Sequence, residues 1–293
     1  MIIFSYLLYY CFIIPISLLP FRVLYAFSDF LFLILYRIAG YRRKVVQMNL
    51  KNSFPSKTED ELQNIEKLFY KHLCDVIVET FKSFTISKEE ILKRMVLRNP
   101  ELTNQYFDQG RSVLLGGGHF NNWEWFGVAI DMQVKHKSYA LYAPLRNKFF
   151  DNKMRSTRGK YGLGMISVKE TARFFEEKKN ELTFTVFGID QSPRNSKKAH
   201  WMTFLNQDTG VMYGLEKYAR ELDFPVVFGN IEKVKRGYYS FYFEPITEHP
   251  RQEPEHFIIE ATTKRLEVEI IHEPQYWLWT HKRWKRKREP ETV

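Results

Sequence analysis

From residue 112 onward, short apolar runs alternate with longer stretches whose apolar residues recur at helical spacing, and this alternation constrains the fold most strongly. Runs at 113–115, 138–145, 165–168, 182–189, 226–233 and 238–245 have the length and the β-branched or aromatic content of strands. Segments 122–132, 147–161, 169–179, 211–222 and 255–271 carry the helical period between them. Such alternation builds layered α/β domains, and Arg236-Gly237 reads as the turn of a hairpin. The expected architecture is a single layered α/β domain, a mixed sheet flanked by helices. With 293 residues the chain buries a sizeable core, and no internal repeat or low-complexity linker marks a second domain. Residues 190–210 form the one long polar connection, a length that often carries function.

The first half of the chain is read differently. Ser53-Phe54-Pro55 is a natural stop, after which Ser56 or Thr58 can cap a helix with Glu59, Asp60 and Glu61 in its first turn. That helix is expected to run to about residue 84, with Leu62, Ile65, Leu68, Phe69, Leu73, Val76 and Ile77 at helical spacing. Glu79 falls within this pattern, where an acid on the edge of an apolar face is ordinarily solvated.

Met1 to Pro20 contains no charged residue, and the basic run Arg42-Arg43-Lys44 follows a second apolar stretch that carries Arg22, Asp29 and Arg37. The absence of a basic segment ahead of the first apolar run argues against a secretory signal. About twenty apolar residues can span a bilayer, although Pro15 and Pro20 would kink or end a helix. Residues 21–38 suit an interfacial position, and the tyrosines of this region suit the interfacial zone. Residues 1–40 are therefore expected to be a membrane anchor, as one transmembrane helix or an interfacial hairpin, with residues 41–293 on the cytoplasmic side by the positive-inside rule. The alternative is a hydrophobic hairpin packed on the domain itself.

A net charge of +10 favours anionic partners. The segment from His281 to Arg288 holds six Lys or Arg in eight residues after the aromatic Tyr276-Trp277-Leu278-Trp279. It suits an anionic membrane surface or phosphorylated ligand; a solvated end and a nucleic-acid patch are the alternatives. Cys11 and Cys74 are expected to be free thiols in a reducing compartment.

The candidate chemistry lies in Ser112-Val-Leu-Leu-Gly-Gly-Gly-His-Phe-Asn-Asn-Trp-Glu-Trp125, a strand running into three glycines, a histidine and a glutamate. Open α/β folds place their sites where strands end. On a regular helix His119 and Glu124 would stand about 140° apart, so they meet only if His119 lies on the turn before the helix. The glycines are expected to permit that turn through unusual φ values. Glu124 would then accept from one ring nitrogen, while the other takes a proton from a hydroxyl. The amides of Gly117 and Gly118 would hold a developing oxyanion. No Gly-x-Ser-x-Gly elbow is present, which favours direct attack by a bound alcohol and thus acyl transfer over hydrolysis. No His-Glu-x-x-His pattern or third ligand accompanies the pair, so no metal is expected.

The segment Gly118-His-Phe-Asn-Asn-Trp-Glu124 resembles the His-x4-Asp/Glu block of the bacterial lipid A biosynthesis acyltransferases, the late lauroyl and myristoyl transferases of lipid A assembly. The likeness extends to Gly40-Tyr41-Arg42-Arg43-Lys44, to Asn49-Leu50 with Ser53-Phe54-Pro55, to Asp190-Gln191 and to Pro274 through Lys285. It implies a glycerophosphate-acyltransferase-like fold, although the Pro-Glu-Gly-Thr-Arg-like block of those relatives is absent. It also implies transfer of a fatty acyl chain from acyl carrier protein to a hydroxyacyl chain of a lipid A precursor, with no further cofactor. Carried over residue by residue, His119 is the base and Glu124 its partner. Arg158 is a functional arginine, Asp190 is the aspartate of the Asp-Gln block, and Asn121 and Asn122, within the motif, are expected to bind substrate with Gly117 and Gly118. Arg146 and Asn147 are expected at the headgroup, where a guanidinium fork grips phosphate. Phe204-Leu205-Asn206 departs from the Phe-Phe-Gly-like segment of many members, which bears on acyl and acceptor selectivity. The implied setting is the cytoplasmic face of a Gram-negative inner membrane, with anionic lipid and no nucleic acid as partners. The rivals are an acyltransferase acting on a lysophospholipid or aminolipid, and a non-catalytic basic membrane-binding protein.

Overall fold

A computed structural model describes residues 2–196 and 199–288. Helix α1 (Ile2–Leu7) passes through a π-helical segment (Leu8–Ile13) into α2 (Ile14–Leu18). Leu19 takes an extended ψ of 143° ahead of Pro20, the conformation that a following proline imposes, and the helix ends there. Helix α3 (Phe21–Phe32) then continues as a second π-helical segment (Leu33–Ile38), followed by α4 (Arg43–Ser53) and the 25-residue α5 (Glu59–Ser83). Thr58 caps α5 as expected: its hydroxyl accepts from the Glu61 amide, while the Glu61 carboxylate accepts from the Thr58 amide at 2.7 Å.

Helix α6 (Lys88–Arg94), strand β1 (Met95–Leu97) and helix α7 (Pro100–Asp108) lead into β2 (Val113–Gly117), α8 (Trp123–Ala129), β3 (Lys137–Tyr142), α9 (Lys148–Gly159), β4 (Gly164–Ser167), α10 (Thr171–Glu177) and β5 (Thr183–Gly188). A separate hairpin of β6 (Ala199–Phe204) and β7 (Gln207–Met212) precedes α11 (Gly214–Leu222), β8 (Val226–Lys235), β9 (Tyr238–Thr247) and α12 (Phe257–His272). The mixed sheet of seven strands runs in the order β1-β9-β8-β2-β5-β3-β4, and β8 and β9 form the expected antiparallel hairpin. Strand β2 is central and pairs in parallel with both β5 and β8. Its side chains alternate between two cores, Leu114 packing with Phe187 and Phe228 and Val113 and Leu115 packing with Trp125 and Phe184.

Two departures have local causes. Strand β1 is three residues long, too short to show a period. The stretch 190–210 holds most of the β6–β7 hairpin rather than an open connection, and Val211 and Met212 pair with His200 and Ala199 instead of starting α11.

The N-terminal segment packs on the domain and also leaves many apolar side chains exposed. Among the described residues no single helix is long and apolar enough to cross a bilayer, so the expected span over residues 1–20 is not formed as one helix; Phe21–Ile38 and Arg43–Ser53 pass the test only as a pair bent by 84°. One side of the segment packs on α5. Ser28 Oγ donates to Asp75 Oδ1 at 2.8 Å, and Lys82 Nζ donates to the Ser17 and Leu19 carbonyls at 2.9 Å. The opposite side is apolar and open: most of the exposed large hydrophobic side chains lie between Ile3 and Met48. Part of the basic run turns inward, since Arg43 pairs with Glu66 at 2.6 Å and Arg42 donates to the Thr280 carbonyl.

The basic tail is a strap rather than a free charged end. Arg283 is buried and donates to the Gly210 carbonyl at 2.8 Å, Trp284 Nε1 donates to Thr209 at 2.7 Å, and Arg288 pairs with Asp208. Burial pushes the Arg283 guanidinium down to about 10, with Asp190 opposing. Lys282, Lys285, Arg286 and Lys287 remain exposed.

Candidate active site

The parallel register of β2 and β5 sets Gly117 opposite Gly188, and the Ile189 amide extends the ladder to the Gly117 carbonyl at 3.0 Å. Two residues beyond each paired glycine stand His119 and Asp190. The ring Nδ1 lies 2.7 Å from Asp190 Oδ1, and the His119 backbone amide donates to Oδ2 at 2.8 Å. A carboxylate only accepts, so Nδ1 carries the proton and Nε2 presents a lone pair. Trp277 Nε1 adds a third donor to Asp190 at 2.9 Å.

Burial alone would raise the Asp190 carboxyl, but the charge and hydrogen bonds of His119, with Trp277, hold it well below the usual carboxylate range. Burial likewise works to lower His119, and Asp190, aided by Glu124, outweighs it, leaving the imidazole above its ordinary 6.5. The His119 side chain is 24% exposed against 4% for Asp190, so the ring has one open edge. At that edge Gln191 Nε2 stands 3.3 Å from Nε2, and Trp123 packs edge-on to the ring.

The expected direct partnership of His119 with Glu124 is corrected by this geometry. Glu124 sits in the first turn of α8 and forms a two-point ion pair with Arg158, in the last turn of α9, at 2.9 Å from Nε and 2.7 Å from Nη2. An acid at a helix start and a base at a helix end also complement the helix dipoles. Arg158 is therefore no exposed helical residue: its side chain is mostly covered, and Trp123 Nε1 completes the contacts to Glu124. The turn before α8 does carry His119, as the spacing required.

The glycines act through size rather than φ. None of Gly116, Gly117 and Gly118 has a positive φ, and the left-handed residue of the turn is Asn121, at 50°. A Cβ at Gly118 would lie 2.7 Å from Leu266, and one at Gly116 would lie 2.9 Å from Leu215, so the strand end admits α12 and α11 at close range.

The residues expected to bind substrate divide sharply. Gly117 and Gly118 lie on the path from β2 to His119. Asn121 and Asn122 are buried: Asn121 Nδ2 donates to the Ile231 carbonyl, and Asn122 caps α8 by accepting from the Trp125 amide at 2.8 Å. Asn147 is likewise a cap, accepting from the amides of Phe149 and Phe150, and it donates to Ser5 at 2.8 Å. These three amides support structure rather than face a ligand. Arg146 is exposed in the loop before α9. Gln191 and Trp277 were legible only as parts of sequence blocks, although Gly188-Ile-Asp190 repeats the offset of Gly117-Gly-His119 from a strand end.

Beside the Glu124–Arg158 pair lies a cavity of about 340 Å³. Ile13, Phe81, Phe84, Phe150 and Met154 supply apolar wall, with Arg158 also in the lining. The N-terminal segment thus contributes to the site through Ile13.

A histidine fixed by an aspartate and open at Nε2 has the geometry of a general base. No curated protein matches the chain. The family model described as bacterial lipid A biosynthesis acyltransferase matches residues 1–286. The chain belongs to that family and is an acyltransferase.

Proposed function

We propose that the protein transfers a fatty acyl chain from acyl carrier protein to a hydroxyl of a lipid A precursor, with His119 as general base. The observation that carries this reading is the His119–Asp190 pair, which leaves the Nε2 lone pair at the open edge of the ring. The acceptor hydroxyl displaces the Gln191 amide from Nε2 and gives up its proton as its oxygen attacks the thioester carbonyl. The tetrahedral intermediate collapses with cleavage of the C–S bond, and His119 returns the proton to the leaving thiolate. The products are an ester and a free thiol. Asp190 holds the ring tautomer and supports the imidazolium.

The Glu124–Arg158 pair, mostly covered by protein, places a fixed cation beside the cavity, where it orients the acyl donor and supports the oxyanion. The apolar cavity takes the donor's acyl chain. The open apolar side of residues 3–48 seats the domain on the cytoplasmic face of the inner membrane, where both substrates are reached. Exposed basic side chains, Arg146 among them, meet the acidic carrier protein and the precursor's phosphates.

The test supplies fatty-acyl carrier protein and an under-acylated lipid A precursor and follows the mass gain. Wild type is expected to add one acyl chain, and His119→Ala to lose about 10⁴-fold or more in kcat. An undiminished rate in His119→Ala removes the mechanism. A gain on lysophospholipid, with none on the lipid A precursor, changes the acceptor.

A further inference from the structure

Glu79 is a fully buried acid that the reaction does not use. It stands in α5, yet its carboxylate collects donors from three other elements. Tyr25 of α3 donates to Oε1 at 2.6 Å, while Asn122 Nδ2 and Tyr239 of β9 donate to Oε2 at 2.7 and 2.8 Å. The Glu79 backbone carbonyl accepts from Trp125 Nε1 at 2.8 Å. One residue therefore grips the start of α8 through both its side chain and its main chain.

The position of that grip matters. Asn122 spends its other side-chain atom capping α8, three residues after His119 and two before Glu124. The turn between them is left-handed at Asn121, whose φ of 50° suits asparagine better than most residues. The Asn121 amide is held by the Tyr276 carbonyl and its side chain by the Ile231 carbonyl. A short turn of this kind stays in one conformation only while its ends are fixed. A leucine in place of Glu79 would escape the penalty of burying a carboxylate, so the acid's contribution lies in the geometry it dictates.

We propose that Glu79 is a positioning residue, a clamp that fixes Asn122 against α3, α5 and β9 and so sets where His119 and Glu124 point. The proposal rests on His119 acting as the base. Burial, with Asp75 adding to it, pushes the Glu79 carboxyl up to about 7 against Tyr25, Lys233 and Tyr239. In the protonated form Oε2 still accepts from Asn122 and Tyr239 while Oε1–H turns toward Tyr25, an arrangement that glutamine reproduces.

The full-length protein in lipid–detergent micelles decides the matter through kinetics and hydrogen exchange. Glu79→Ala is expected to lower kcat about 10²-fold, with both KM values changing by less than about threefold. Glu79→Gln should keep kcat within about threefold of wild type. Amides of residues 119–126 should exchange faster in Glu79→Ala and at the wild-type rate in Glu79→Gln. Asn122→Ser retains a cap acceptor, but its hydroxyl is too short to reach Glu79 while it caps, and the variant should lower kcat like Glu79→Ala. The double variant should be no slower than either single one, because both remove the same link. The clamp is overturned if folded Glu79→Ala keeps its kcat, if Glu79→Gln falls as far as Glu79→Ala, or if the two losses multiply. Should Glu79→Ala fail to fold, an unchanged kcat in Asn122→Ser overturns it equally. Should wild type transfer no acyl chain, the reading of His119 fails, while the exchange comparison still judges the clamp.

Discussion

The two ion-pairing arrangements of the site are built on different foundations. His119 and Asp190 stand two residues beyond the paired glycines of neighbouring parallel strands, so ladder register brings them together. Glu124 and Arg158 belong to α8 and α9, and only the packing of those helices brings them within reach. The strand-borne pair tolerates little displacement, because a ladder shifts in whole registers. The helix-borne pair has long side chains and a two-point fork to absorb small movements. Under the proposed mechanism the proton-transfer pair stands on the stiff frame and the charge-orienting pair on the adjustable one.

The largest test of this division is Asp190→Asn. It keeps the shape but removes the anion that fixes the Nδ1–H tautomer, and kcat should fall about 10³- to 10⁴-fold. The pH profile sharpens it. An imidazolium has no lone pair, so kcat/KM should fall as pH drops through the His119 pKa, with the wild-type midpoint above 6.5. Without the Asp190 charge, burial is left to act downward, and the residual activity should show its midpoint shifted to lower pH. A midpoint that stays in place would detach Asp190 from the base.

Arg158→Ala should cost less, about 10²-fold in kcat/KM, and Arg158→Lys about 10-fold, since lysine keeps the charge but not the fork. Steady-state kinetics that show Lys as poor as Ala would make the fork, rather than the charge, the essential feature. Gly118→Ala perturbs the frame itself. Its Cβ would meet Leu266 at 2.7 Å, and thermal unfolding should show a loss of about 1–3 kcal/mol. An unchanged melting temperature would mean that α12 yields without cost and that the strand end is less rigid than its packing implies.

Much of this was legible in the residues. Six strands and five helices beyond residue 112 followed from period and length, as did the capped start of α5. What failed to show had identifiable causes. Strand β1 is shorter than any period. The hairpin of β6 and β7 was masked by polar residues such as His200, Thr203 and Asp208. The basic tail gave no sign that Arg283 would bury itself against Gly210, because a charge run has the same composition whether it is free or folded back. Glu79 reads as an edge acid from helical spacing alone, because its three donors come from residues 54, 43 and 160 positions away.

The sequence by itself determined where the candidate histidine sits, at the end of a strand on the turn before a helix, and the residue types around it. Local patterns dictate those features, because hydrophobic period and glycine-terminated strands act over a few residues. Only the tertiary structure decided which acid serves His119. Spacing favoured Glu124, five positions away, whereas sheet register delivered Asp190 from 71 positions away. Strand pairing in a parallel sheet is a long-range choice, and no short-range signal in the chain encodes it.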